Sequence, residues 1–388
     1  MPLITSGENL SNGFSFPGIS DGLGVVEIEN GTVDVYVNHE YDSEEHGQYA
    51  KVSKLRLNTT DGSIIGVQLA ITDPQGYERF CSASLVEGYG FEHPVFLTNE
   101  EVADGLVLAI DAINGTVYEL PWLGLFSHEN TIHVPYFYDN ANKTVVLSFE
   151  DGDETESEVY MYVADSPNDL LTGNGKLHVF GAADNLTYNT WDDIYYNDNG
   201  TTVNGTFIPL SWDHNTQNEI DLDTEAIAVG GFQFIRPEDG ATDKRPGSQN
   251  ILYMAETGGE TDENDQVISP GPNGQNWTAG RIYKFEFTDP ADPTKAMINV
   301  MFDGNDPKAP GYNILTNPDN LDTSLNSLMI NEDRIDANRF NATSPYNVTE
   351  NAQILMVNLA STTNILPIAY VNQIEDTTAA QEKNQANH

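Results

Sequence analysis

The sequence predicts an all-β fold, and specifically a six-bladed β-propeller with long insertions between its strands. Helical periodicity is nearly absent from the 388 residues, and short apolar or alternating runs are separated by Gly, Asn, Asp and Pro. Six of these runs end in acidic or amide-rich clusters at intervals of roughly 30 to 75 residues, the spacing of propeller blades with insertions. Because the innermost strands of a propeller are all oriented the same way, we expect the clusters to meet at one face.

The individual strands are predicted from continuous apolar runs or runs of period two. Ten segments have this character: 32–38, 53–58, 64–72, 144–150, 158–164, 176–182, 250–256, 280–287, 327–332 and 352–359. The segment NEEVADGLVLAID is compatible with one short helix or with a further strand. We predict a single propeller domain over residues 1–374, followed by a polar C-terminal tail over residues 375–388.

The clusters at the strand ends share carboxylate and amide side chains, which are ligands that hard cations prefer. They are YVNHEYD (36–42), FLTNEE (96–101), LSFEDGD (147–153), VFGAADN (179–185), YMAETGG (253–259) and LMINED (328–333). Taken singly, each cluster is typical of an ordinary solvated turn. Taken together, they predict a funnel of oxygen ligands for Ca²⁺ or another cation at the propeller face.

The charge of the chain excludes several classes of partner. Its 16 Lys and Arg stand against 60 Asp and Glu, which gives a formal net charge of −44. Such a chain repels the phosphates of nucleic acids and anionic membrane surfaces, so divalent cations or a high-salt environment are the expected counter-charge. No apolar run approaches the 18 residues of a membrane-spanning helix, so no transmembrane segment is predicted.

Two observations bear on the compartment. The first residues show no visible signal peptide, so the chain either stays inside the cell or is numbered after the removal of a leader. The triplet Asn-X-Thr, a glycosylation acceptor in secreted proteins, occurs ten times and four times as NGT. This favours a secreted protein, extracellular or periplasmic, with glycosylated turns.

The segment ERFCSASL contains Cys81, the single cysteine of the chain, so no intramolecular disulfide can form. A lone cysteine is most often a small buried hydrophobic residue. A secreted protein nevertheless has little reason to keep an oxidisable thiol without a partner. Cys81 is therefore a candidate metal ligand as well as a candidate core residue.

Three further segments carry residues suited to a charged site. GLFSHEN contains Glu129, and LTNPDNL contains Asp319 in a turn. In FIRPEDG the proline keeps the chain extended, so Arg236 and Glu238 point to the same side. Such a pair is usually a salt bridge, but it also suits a site where the carboxylate binds a metal and the guanidinium binds a phosphate.

In this order, the segments resemble the PhoX family of secreted alkaline phosphatases. The resemblance covers residues from about 17 to about 335, and each motif is short. The matching stretches are NHEY (38–41), FCSASLVEGYGFEHPVFLTNEE (80–101), LGLFSHE (123–129), LSFEDGD (147–153), RPED (236–239) and NPDNL (317–321).

The resemblance implies a six-bladed propeller whose mouth holds two iron ions bridged by a cysteine thiolate, with calcium ions nearby, and which hydrolyses phosphate monoesters. It assigns Cys81 as the bridging thiolate, Glu129, Glu238 and Asp319 as further metal ligands, Glu100 or Glu101 as a calcium ligand, and Arg236 as the catalytic residue that holds the phosphate.

Three departures from the family affect the neighbours of these residues. The family stretch TPWGT is replaced by VEGYGFEHPVF, RPEW has become RPED, and SPDGLW has become NPDNLD. The first hypothesis is therefore a metal-dependent phosphohydrolase with an iron and calcium cluster, acting on small phosphate esters. The alternatives are a non-catalytic calcium-binding propeller of the cell surface or extracellular matrix, with possible self-association, and hydrolysis of another phosphate-like or ester substrate.

Overall fold

The structure is a computed structural model. It describes residues 3–10, 12–28, 31–152, 157–183, 190–194, 202–259, 279–312, 314–333, 352–361 and 364–370. The predicted tail over residues 375–388 lies outside these ranges.

The described strands form five antiparallel units of four strands, and within each unit the order along the chain is the order in the sheet. The units are β1–β4 (Ser20–Ile28, Thr32–His39, Lys51–Asn58, Ile64–Ile71), β5–β8 (Phe80–Val86, Val95–Glu100, Val107–Asp111, Val117–Glu119), β9–β12 (His128–His133, Thr144–Glu150, Val159–Ala164, Gly175–Ala182), β14–β17 (Pro237–Thr242, Ile251–Glu256, Arg281–Phe287, Lys295–Asp303) and β18–β21 (Pro318–Thr323, Ser327–Glu332, Gln353–Asn358, Ile365–Tyr370), while β13 covers Thr202–Pro209.

The first strands of the five units surround one central channel. Residues of β1, β5, β9, β14 and β18 all line it. Along the chain, β1 packs against β5, β5 against β9, β9 against β14 and β14 against β18. The chain is therefore an all-β propeller, as predicted from the sequence.

The described residues form five units, whereas the sequence predicted six. The reason lies in the acidic clusters that were counted. Five of them end a second strand of a unit, namely β2, β6, β10, β15 or β19. The sixth, VFGAADN, follows β12, which is the fourth strand of the third unit. It therefore marks an outer strand and no additional unit.

Strand β13 joins two of the units by hydrogen bonds. It pairs with β12 of the third unit on one side and with β17 of the fourth unit on the other. The two units and β13 thereby form a nine-stranded sheet.

The burial of a strand depends on whether neighbouring units cover one of its faces or both. In β20, inward and outward residues alternate, as expected for a strand with one covered face. In β6, β7 and β10, every residue is buried. These middle strands are covered on both faces by neighbouring units, which explains their nearly continuous apolar sequences.

Each of the ten predicted strand segments coincides with a strand, and the ambiguous segment NEEVADGLVLAID contains β7. The short helices lie between strands: α1 is Ser43–His46, α2 is Tyr136–Ala141, α3 is Pro167–Thr172, and 3₁₀ turns cover Asp73–Gln75, Pro121–Leu123 and Trp191–Asp193. Within the described ranges, no helix is both long and apolar enough to cross a membrane.

Helix α4, Glu219–Val229, was not predicted. It begins at a capping box, in which Asn218 and Asp221 each accept the other's backbone N–H, and it ends at Gly230. Its apolar stripe is narrow, because Leu222 and Ala226 are its only buried residues. The helical period is therefore weak in the sequence.

Replacing Gly22 by alanine is expected to destabilise the propeller. A Cβ at this position would lie 2.4 Å from the backbone nitrogen of Ala83 on the neighbouring inner strand. Since backbone must move to make room, we expect a loss of about 1 to 3 kcal/mol in the free energy of unfolding. Gly66→Ala is the matched control, because its Cβ would meet only ordinary contact at 3.5 Å. Equal urea midpoints for the two variants would contradict the prediction.

Candidate functional site

The second residue of each inner strand carries a possible metal ligand. These five residues, called the ring below, are Asp21, Cys81, Glu129, Glu238 and Asp319. Each lies where the pairing between the first and second strand of its unit shifts, between Ser20 and Leu23 in the first unit and at the corresponding place in the other four. A bulge frees a residue from the strand ladder and redirects its side chain. The same local device thus repeats in all five units.

The backbone before the ring residues is also unusual. Ile19, Arg79, Arg236 and Asn317 each have a positive φ, between 42° and 48°, and each precedes a ring residue by two positions. Left-handed backbone is rare for residues other than glycine, above all for a β-branched one such as Ile19. Conformations of this kind are kept where the surroundings impose them and are concentrated at functional sites.

The ring and its neighbours form three overlapping groups of ligands. In each group, one ligand atom from every member lies within 4.8 Å of those of the others. The groups are Asp21 with Glu40 and Cys81, Cys81 with Glu101 and Glu129, and Glu129 with Glu238 and Asp319. Cys81 and Glu129 each belong to two groups, so they connect the three into one continuous cluster.

Glu40, Glu101 and Asp151 form a second row of carboxylates above the ring. Each follows directly on the end of a second strand, β2, β6 or β10, on the face where the first strands begin. The Cys81 thiol donates to Glu101 Oε2 at 2.6 Å, and Ser82 Oγ donates to Glu129 Oε1 at 2.7 Å. The hydrogen bond from Cys81 to Glu101 thus connects the second row to the ring.

Glu100 has a different environment from its neighbour Glu101. Its carboxylate accepts the backbone N–H groups of Glu78 and Leu106. Glu256 and Glu332 end β15 and β19 at the equivalent position, and they accept the N–H groups of Ile235 and Thr316. These three carboxylates therefore hold the loops that lead into the inner strands. Of the two glutamates predicted for calcium, the structure places Glu101 with the ring and gives Glu100 a structural position.

Two arginines lie beside the ring. Arg236 donates to both oxygens of Asp151, at 2.7 and 2.8 Å, and its guanidinium lies 3.7 Å from Glu238. Arg79 lies 3.5 Å from Glu40 and 3.6 Å from Glu101. Both guanidinium groups thus face the second row and compensate part of its charge.

Burial and mutual repulsion disfavour the charged forms of the ring residues. Burial raises the pKa of Glu129, Glu238 and Asp319 well above the ordinary range, and neighbouring carboxylates add to the shift. The pKa of Glu101 is raised to about 8, mainly by burial and then by Asp151. Burial also raises the pKa of the Cys81 thiol. Without a bound cation, the site therefore retains protons.

Asp21 is the ring residue that lines the central channel, which has a volume of 1070 Å³. Tyr89, Asn130, Asp239 and Lys244 also line this channel. Leu23 and Val25 on β1 also face the channel, which explains why two apolar residues of an inner strand are exposed. A small molecule in the channel can thus contact the ring at Asp21.

The stability of the metal-free protein is expected to fall as the pH rises from about 5 to about 8. The pKa of Glu101 is raised to about 8 in the folded state, so over this interval the folded state binds more protons than the unfolded state. Such a group lowers the free energy of unfolding by about 1.4 kcal/mol per pH unit until the pH exceeds its folded pKa. Unfolding by urea after removal of metals, with and without added Ca²⁺, measures the effect. Stability that is constant or rises over this interval in the metal-free protein would contradict it.

The structure brings together most of the residues predicted from the sequence. Cys81, Glu101, Glu129, Glu238 and Asp319 all belong to the cluster. Sequence reasoning missed Asp21 and Glu40. Glu40 lies in NHEY, one of the quoted motifs, and Asp21 follows the positive-φ residue Ile19 in the same way as the other ring residues follow theirs.

Comparisons with known proteins find similar structures but no family. No family model matches the sequence, and no curated protein matches it. An α-L-arabinanase from Penicillium chrysogenum, complexed with arabinobiose, is 8% identical with a TM-score of 0.40, covering 91% of this chain and 80% of that one. A GH43_1 enzyme from Xanthomonas citri, complexed with xylose, is 10% identical with a TM-score of 0.38, covering 90% of each chain.

An acylaminoacyl peptidase from Pyrococcus horikoshii is 8% identical, with a TM-score of 0.35. The match covers 91% of this chain and 46% of the peptidase, so the chain spans about half of that enzyme. Likenesses at these TM-scores assign no activity to this chain.

The predicted hydrolysis of phosphate monoesters is wrong. Arg236, the residue predicted to hold the phosphate, is engaged elsewhere, because it donates to both oxygens of Asp151. The contacts of Arg236 are therefore those of a cation that neutralises part of the charge of the second row.

Proposed function

We propose that this chain is a metal-binding propeller that holds iron and calcium at the ring and acts there as a hydrolase. The observation that carries the proposal is the sharing of Cys81 and Glu129 between three overlapping ligand groups. Ligands shared in this way suit a row of adjacent cations, each bridged to the next.

The donor types support a division between the two metals. A thiolate is a soft ligand that suits iron, whereas carboxylates alone suit calcium. The two groups that share Cys81 would therefore hold iron, and the group of Glu129, Glu238 and Asp319 would hold calcium. Ca²⁺ binds oxygen at about 2.3 to 2.6 Å, so oxygens within 4.8 Å of one another can share one ion.

Electrostatics supports the same proposal. Glu40 is only 4% exposed, and its Oε2 has no hydrogen-bond partner among the described residues. It belongs to the group with Asp21 and Cys81, so a cation there would satisfy it. Buried charges without such compensation cost several kcal/mol each.

Bound cations would polarise a substrate and generate a water-derived nucleophile at neutral pH. The residues of this chain supply the remaining parts of a hydrolytic site. The channel would admit a substrate at Asp21, Arg236 lies 3.7 Å from Glu238, and Ser82 orients Glu129 by its hydrogen bond.

A second candidate is glycoside hydrolysis by the ring carboxylates without metal. Its support is the raised pKa of Glu238 beside other carboxyl groups, since a glycosidase needs one carboxylic acid that keeps its proton. The oxygens of the third group lie within 4.8 Å of one another, below the separation of about 6.5 to 9.5 Å found in inverting enzymes. A retaining mechanism is the form that this spacing favours.

Elemental analysis combined with a substrate panel distinguishes the two candidates. The purified chain is expected to contain iron and calcium, and chelation should abolish hydrolysis of chromogenic carboxylic esters and glycosides. Hydrolysis of glycosides that survives complete removal of metals would support the second candidate. Purified protein with neither iron nor another transition metal, and no uptake of added Fe³⁺ or Ca²⁺, would refute the first.

A further inference from the structure

A second group of carboxylates lies outside the ring, on the third unit. Glu150 ends β10, Glu158 directly precedes β11, and Asp223 lies on α4. One oxygen from each lies within 4.8 Å of the other two. Glu150 and Glu158 are almost completely buried, with exposures of 2% and 1%. These three residues are called the outer acidic cluster.

The strand pairing places two of these carboxylates opposite each other. Phe149 pairs with Val159, and the N–H of Glu150 donates to the carbonyl of Glu158. Directly opposed like charges on a sheet are destabilising. A buried pair of this kind, joined by a third carboxylate from a helix, is expected where a cation neutralises it.

Glu150 also departs from the pattern of the other units. The equivalent residues Glu100, Glu256 and Glu332 accept N–H groups from the loops that precede their inner strands. The carboxylate of Glu150 instead accepts the N–H of Glu158. It is thus directed away from the ring loop and towards the outer acidic cluster.

Tyr160 provides an independent observation. It is fully buried, and its hydroxyl has no hydrogen-bond partner among the described residues. It lies two residues after Glu158, so both side chains point to the same face of the sheet. After burial, the charges that most raise the pKa of Tyr160 are those of Glu150, Glu158 and Asp223. The hydroxyl is therefore directed into the outer acidic cluster.

We propose that the outer acidic cluster binds one calcium ion, held by Glu150, Glu158 and Asp223 with the Tyr160 hydroxyl as a further oxygen neighbour. All four groups are oxygen donors, which Ca²⁺ prefers and which transition metals accept less readily than nitrogen or sulfur. No thiol or imidazole belongs to the cluster. The site differs in this respect from the ring, where Cys81 is present.

The ion would fasten α4 to the third unit. Leu222 and Ala226 on the helix belong to the same apolar cluster as Phe126 and Tyr160, and the Phe126 and Tyr160 rings stack at 4.6 Å. Asp223 lies beside Leu222 and reaches the strands from the same helix. Calcium would therefore add a polar connection to a helix that buries few apolar residues of its own.

Calcium binding to the metal-stripped full chain tests the proposal. Calcium per chain is counted by equilibrium dialysis against Ca²⁺ alone in the parent protein, in Asp223→Asn and in Glu150→Gln. Each variant is expected to bind one ion fewer, or to bind it at least ~10-fold more weakly, because calcium affinity depends on the charge of the ligands. Glu27→Gln, on the exposed side of β1, is the matched control and should bind as the parent does.

Tb³⁺ supplies a readout at the site itself. Bound beside Tyr160, it should show emission excited through tyrosine, and Ca²⁺ should compete this emission away. The emission from this site should be lost in Tyr160→Phe and weakened in Asp223→Asn, while emission from Tb³⁺ bound at the ring should remain. Asp223 is partly exposed on the helix, so its substitution is expected to fold even where Glu150→Gln does not. Equal calcium number and affinity in Asp223→Asn and the parent would overturn the proposal.

The outcome is separable from that of the proposed function. In Glu129→Gln, the outer acidic cluster is intact and its calcium ion should remain. If the ring binds no metal, the parent should still bind this one ion. If the ring binds metal but Asp223→Asn loses none, only the inference about the outer acidic cluster fails.

Discussion

Glu129→Gln is expected to reduce the metal bound at the ring more than substitution of a carboxylate that belongs to only one ligand group. Glu129 belongs to two of the three ligand groups, so its loss affects two adjacent cation positions. Changes to groups that only support metal ligands already cost about 10- to 100-fold in affinity, and loss of a direct, shared ligand should cost at least ~100-fold. Elemental analysis after dialysis at fixed free Fe³⁺ and Ca²⁺ measures the change.

The stability of the same variant separates a lost ligand from a misfolded protein. The glutamine oxygen can still accept from Ser82, and one buried acid is removed from a repulsive cluster. The metal-free variant should therefore be at least as stable as the metal-free parent. Glu87→Gln, an exposed residue after β5, should change neither property. Full metal content in Glu129→Gln would contradict the prediction.

Arg281→Met is expected to cause the largest loss of stability, about 3 to 5 kcal/mol in the free energy of unfolding. Arg281 is 1% exposed, and its Nε donates to Asp303 Oδ2 at 2.8 Å. Its Nη1 also donates to the carbonyl of Trp191 at 2.8 Å. Methionine fills much of the space but leaves the carboxylate of Asp303 buried without its guanidinium. Urea unfolding, or the yield of folded protein, measures the loss.

The neighbouring Lys284→Met is the matched control. Lys284 pairs with Glu286 at 2.8 Å, and both side chains are 28% exposed. A partly exposed ion pair of this kind contributes less than about 1 kcal/mol to the free energy of unfolding. Adding Asp303→Asn to Arg281→Met should recover part of the lost stability. A loss below about 1 kcal/mol in Arg281→Met alone would contradict the prediction that Asp303 is left as a costly buried charge without the guanidinium.

The strands could be predicted because their burial is expressed in the local sequence. Segments such as 144–150 and 327–332 are short apolar or alternating runs bounded by polar residues, a length and pattern that favour a strand over a helix. The number of units could not be read in the same way. Five acidic clusters follow second strands, but a similar one follows β12, the outer strand of the third unit. Only the pairing of β12 with β11 and β13 distinguishes it from a second strand.

The residue types of the site could be predicted from the sequence, but which individual side chains face the ring could not. Glu100 and Glu101 are adjacent, and successive residues of a strand point to opposite sides. The sequence does not show which of the two side chains faces the ring. In the structure, Glu100 accepts the backbone N–H groups of Glu78 and Leu106, so Glu101 is the one that faces the ring. The contribution of Asp21 depends on the packing of the first unit against the second, which brings it to Cys81 and which no local pattern records.

The bulges at the ring have a consequence for how such a protein can change over time. In each unit the ring residue stands outside the ladder of hydrogen bonds, while the paired residues before and after it keep the two strands in place. A substitution at Asp21 or Asp319 therefore alters the chemistry of the ring with little disturbance of the framework. The five positions are open to separate replacement, so one scaffold could acquire new ligand sets by single steps.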